Sequence, residues 1–73
     1  MTHTGTATAT VTHSGRQAFV TITDGGEIVS DMRLGGSSHL SAAVKFADYR
    51  LTESCTLRLE DIAEGATFAV TAV

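Results

Sequence analysis

The chain has 73 residues, room for one domain, and a domain of about this size buries only about 60% of its unfolded surface. Thr, Ala, Gly and Ser supply 35 of those residues against 19 for Val, Ile, Leu, Met and Phe together, so the core is thin, and the single Cys55 excludes an intramolecular disulfide staple. A net charge of −3, from five basic and eight acidic residues, excludes the broad positive surface that nucleic-acid binding needs, and no apolar run approaches the ~18 residues of a membrane span.

Residues 1–13 alternate strictly. Thr2, Thr4, Thr6, Thr8, Thr10 and Thr12 interleave with His3, Gly5, Ala7, Ala9, Val11 and His13, a period of two that only an extended strand converts into two faces. The segment reads as an ordinary edge strand rich in β-formers, or as an extended N-terminal arm that adds a strand to a neighbouring subunit's sheet. On the second reading Thr4, Thr6, Ala7, Thr8, Ala9, Thr10 and Val11 are the partner-binding residues.

Ser14-Gly15 predicts a tight hairpin turn into a strand over 16–23, with Ala18, Val20 and Ile22 on one face. Asp24-Gly25-Gly26 turns the chain again into 27–34, where Ile28, Ser30, Met32 and Leu34 share a face. Three strands in a meander follow directly. Residues 39–51 match two templates. At helical spacing Leu40, Ala43, Val44, Ala47 and Leu51 form one stripe behind Ser37 or Ser38 as N-cap. At period two Leu40, Ala42, Val44 and Phe46 share a face and, after a bulge, Ala47, Tyr49 and Leu51 continue it. The strand is favoured, because Phe46 and Tyr49 fall off the helical stripe and 47–51 mirrors Cys55, Leu57 and Leu59 as a hairpin would. Residues 60–65 read as a turn or single helical turn anchored by Ile62, and 66–73 as a last strand that must be paired to be ordered. The expected fold is mainly β: a small antiparallel sandwich or barrel-like domain of about five to seven strands, with an α+β arrangement carrying one helix near 38–50 as the alternative.

The chemical inventory is sparse. His3, His13 and His39 lack the close spacing of metal ligands, and Asp24, Glu27 and Asp31 around the Gly-Gly turn supply fewer oxygens than a calcium loop needs. Gly35-Gly36-Ser37-Ser38-His39 lacks the Lys and the crossover helix of a phosphate-cradling loop. Cys55 reads as a small buried hydrophobe. The expectation is therefore no enzyme, no cofactor and no metal.

What remains points to a structural or interaction protein acting as many copies on a larger assembly, through a protein partner or itself as a homo-oligomer. The alternative is a small binding module that recognises a peptide or small ligand at a sheet edge or subunit interface. The composition, the Asp24-Gly25-Gly26 turn and the turn-strand rhythm of EGATFAVTAV are similar in style to small β-rich virion accessory proteins, including phage capsid decoration proteins. That resemblance implies a virion setting and transfers no residue role. The N-terminus has neither the charged nor the apolar region of a secretory leader, so the expected location is soluble, in the cytoplasm or on a virion assembled there.

Overall fold

The computed structural model describes residues 7–73. Five antiparallel strands, β1 (Ala7–Ser14), β2 (Gln17–Asp24), β3 (Glu27–Gly35), β4 (Tyr49–Leu51) and β5 (Ala66–Ala72), form one sheet in the order β3-β2-β1-β5-β4. The sheet curls into a half-barrel, and one helix, α1 (Leu40–Phe46), accompanies it. Both the mainly β expectation and the single helix of its alternative are present. The meander is as expected: Ser14 faces Gln17, Asp24 faces Glu27, and Gly15, Gly25 and Gly26 take positive φ at the two turns, where a side chain would be strained.

The first strand departs from expectation. β1 is the central strand, not an edge or an arm, with β2 on one side from Thr8↔Thr23 to Ser14↔Gln17 and β5 on the other from Ala7↔Val70 to Val11↔Ala66. Its small face points into the curl, where Ala7, Ala9 and Val11 are buried. A tightly curled sheet brings its inner side chains together, so small residues suit this face. The facing residues Ala18, Val20 and Ile22 of β2 and Val70 of β5 are buried beside them.

Residues 39–51 fold as helix and then strand. The stripe Leu40, Ala43 and Val44 is fully buried against the sheet's inner face, and a helix fills the open side of a half-barrel that another hairpin would leave less covered. Phe46, the residue that argued for a strand, stays 74% exposed. The N-cap is His39, without a side-chain capping bond, rather than Ser37 or Ser38. Asp48 ends the helix at φ 64°, with its amide donating to the Lys45 carbonyl, the left-handed termination seen after many helices.

No hairpin joins 47–51 to 55–59. β4 pairs instead with the end of β5, Tyr49↔Ala72 to Leu51↔Val70. Residues 52–58 carry no strand beyond an isolated bridge from Arg58 to His39, and Leu59–Asp61 is a single 3-10 turn (η1). Leu59 and Ile62 close the lower core. His13 fixes this connection: its ring Nε2 lies 2.6 Å from the Ile62 carbonyl, which can only accept, so that nitrogen carries the proton. The His13 amide donates to Glu64 Oε1 at 2.6 Å.

Candidate protein-interaction site

The two faces of β1 determine what this chain can offer a partner. Of the residues expected to bind one, Ala7, Ala9 and Val11 lie in the chain's own core, and the β1 backbone is paired on both sides within the chain. In this fold 8–11 therefore present no open main-chain edge for strand addition. Thr8 and Thr10 lie half-buried on the outer face, in rows with Thr23 and Ala69 and with Thr21 and Thr67. Thr4 and Thr6 lie outside the described residues.

Among the described residues, the open main-chain edges belong to β3 and β4. β3 is the longer, at nine residues. Its pairing with β2 slips between Ile22 and Thr23: Ile22 faces Ser30 while Thr23 faces Ile28, leaving Val29 as the extra residue of a bulge. The slip reverses the expected face of Ile28, because directly opposed residues share a face and Thr23 is on the outside. Ile28 is 68% exposed and Val29 48%. Beyond the bulge the alternation is regular, with Ser30, Met32 and Leu34 half-buried and Asp31 and Arg33 exposed. Thr21 Oγ1 donates to Asp31 Oδ1 at 3.3 Å.

The other edge borders a groove of about 520 Å³ between α1, β4 and residues 53–56. Tyr49, Leu51, Cys55 and the 85% exposed Val73 supply apolar lining, and Lys45, Arg50 and Glu53 supply charge. Tyr49 spans the curl, its hydroxyl donating to Asp24 Oδ2 at 3.0 Å and so tying the short β4 to the end of β2. That hydrogen bond raises the Tyr49 pKa above the ordinary value of 10.0, with desolvation and the negative charge of Asp24 acting in the same direction. Cys55 is half-buried, packed against the core and outside any strand, rather than enclosed in one.

The Gly35–His39 segment is held by main-chain bonds to 57–60: Glu60 donates to the Gly36 carbonyl and Leu59 to that of Ser38. The polar cleft beside it is lined by His13, Arg16, Gln17 and the Glu60 side chain, which places one carboxylate in the same cleft as one guanidinium rather than a cradle of donors alone. Among the described residues no three His, Cys, Asp or Glu side chains cluster as a metal site, and no helix is long and apolar enough to cross a membrane. Comparisons of the chain with protein families, curated proteins and solved structures returned no match.

Proposed function

We propose that this chain is a structural or interaction protein that works as several copies within a larger assembly, engaging its neighbours through the open edges of its sheet. The observation that carries this reading is the pair of edges left unpaired among the described residues of one curled sheet, with exposed Ile28 and Val29 at the first and Val73 beside the second. An edge with free donors and acceptors is a template for another strand, and a subunit that extends an assembly needs two such surfaces. A virion surface of the kind the sequence style resembles is one setting in which a small subunit of this type serves.

Light scattering across micromolar to millimolar concentration tests the reading. A mass above that of one chain, growing with concentration, is expected. A single-chain mass throughout would overturn it. The groove favours a second reading, a module that holds an extended peptide along β4: its apolar floor beside a free edge, with Lys45 and Glu53 of opposite sign at the rim, matches the geometry of strand addition with side-chain pockets.

A further inference from the structure

We propose that the β3 edge binds a second copy of this chain, the two β3 strands pairing antiparallel about a two-fold axis at Met32. This deepens the assembly reading and rests on it, since it names the partner and the register of one edge. The resulting sheet would be continuous across two half-barrels, with each chain's β4 edge and groove left free for further partners.

The register follows from elimination among charged positions. In a two-fold antiparallel pair the strands meet residue to residue about one centre, and opposed side chains share a face. A centre at Asp31 sets two aspartates against each other, and a centre at Arg33 does the same with arginines. A centre at Ser30 drives the ladder through the Val29 bulge and leaves Asp31 opposite an aliphatic side chain. A centre at Leu34 opposes Arg33 to Gly35, the last residue of the strand, and leaves Asp31 beyond the ladder without a partner in β3. A centre at Met32 avoids all four. It runs over the regular stretch 30–34, places Asp31 opposite Arg33 of the partner subunit twice by symmetry, and opposes Met32 to the partner's Met32 on the inner face.

At either end of that ladder Val29 meets Gly35 of the partner subunit. Gly35 has open space where a Cβ would stand, and Val29 is an apolar side chain that is 48% exposed. Both charged residues are themselves exposed on the outer face, so the pairing requires no burial of an isolated charge. The bulge has a place in this arrangement too: it ends the regular ladder at Ser30 and so limits which registers can form.

Two sets of variants test the pairing, each checked by circular dichroism for an intact fold. Asp31→Arg alone and Arg33→Asp alone oppose like charges at two symmetric positions and should weaken self-association roughly tenfold or more, whereas D31R/R33D restores the complement and should return within about threefold of the parent. In a Cys55→Ala background, Met32→Cys places the two thiols on directly opposed residues, whose Cα atoms are about 4.5–5.5 Å apart, within disulfide reach. It should form a covalent dimer under mild oxidation. Ser30→Cys in the same background should not, because its symmetry mate lies about 13 Å along the strands. A Ser30→Cys dimer in place of the Met32→Cys one would overturn the register. Association unchanged by either single reversal would overturn the β3 pairing and leave the assembly reading standing, whereas a wild-type chain that is monomeric throughout overturns both.

Discussion

Two consecutive residues after α1, Asp48 and Tyr49, combine a left-handed backbone conformation with a cross-sheet hydrogen bond. Asp48 sits at φ 64° directly after α1, a conformation that costs a non-glycine residue on the order of 1 kcal/mol. Its carbonyl accepts from the Val73 amide at 2.9 Å, so the position is fixed by pairing on the far side of the turn. Asp48→Gly should therefore raise stability by up to about 1 kcal/mol, and Asp48→Val should lower it by more, since a branched Cβ tolerates that region poorly; denaturant titration reads both. Tyr49, the next residue, is the only tyrosine in a chain without tryptophan, so its titration is visible in ultraviolet difference absorbance without overlap. The folded chain holds the phenolic proton more tightly than the unfolded chain, because the hydroxyl donates to Asp24. The stability from this pair is complete below pH 10.0 and is lost as pH rises through the raised folded value. Asp24→Asn should move the phenolate midpoint back toward 10.0, and Tyr49→Phe should remove this component of the alkaline stability loss. A midpoint unmoved by Asp24→Asn would show that the hydroxyl has another partner.

Elements differ in how far local sequence determines them, and β1 shows the limit most clearly. Its period of two was readable from the threonines, as were β2 and β3 from their glycine turns, because alternation and turn chemistry act within ten residues. Its place at the centre of the sheet was not, since that depends on β5, whose Phe68 pairs with Ala9 from the other end of the chain. That an inner face of only Ala and Val anchors this strand rests on the same distant contacts. In a curled sheet closed by α1, small inner residues are what the packing requires, and Leu40, Val44 and Leu59 bring the bulk from elsewhere. Residues 39–51 were ambiguous because the stripe Leu40, Ala43 and Val44 is short; the decision lay in the cavity that needed filling, and exposed Phe46 was a surface residue that no local rule identifies. The bulge at Val29 was also invisible, and it alone turned Ile28 outward. A direct consequence concerns the two faces of β1. Ala9→Glu places a charge at a position with no exposed surface, a cost of several kcal/mol, and should abolish the β circular-dichroism signal of the chain itself rather than only its association. Thr8→Ser and Thr10→Ser, on the outer face, should stay within about 0.5 kcal/mol of the parent. A folded Ala9→Glu protein would mean that β1 is dispensable to the sheet.

On the scale of the whole molecule, the balance between a thin core and a large open surface sets how the protein behaves with concentration. The buried apolar set includes four alanines, Ala7, Ala9, Ala18 and Ala43, which contribute far less burial per residue than the aliphatic side chains beside them. Meanwhile Ile28, Val29, Phe46, Leu57 and Val73 remain exposed. Against a conformational entropy cost of roughly 1–2 kcal/mol per residue for the backbone alone, such a chain has little margin as a monomer. Association that covers the β3 edge adds main-chain hydrogen bonds and apolar burial to the folded state only, and anything that binds the folded but not the unfolded chain raises stability with concentration. For a dimer, a hundredfold rise in protein changes unfolding by about 1.4 kcal/mol per chain, which for a domain of this length moves the melting temperature on the order of 5 °C or more. Calorimetry at about 2 and 200 μM should show that shift in the parent, and Arg33→Asp should flatten it while leaving the dilute-limit melting temperature nearly unchanged, since that side chain is exposed in the single chain. A melting temperature independent of concentration in the parent would mean that the folded state stands on the core of one chain, and that the exposed edge of β3 contributes nothing to its stability.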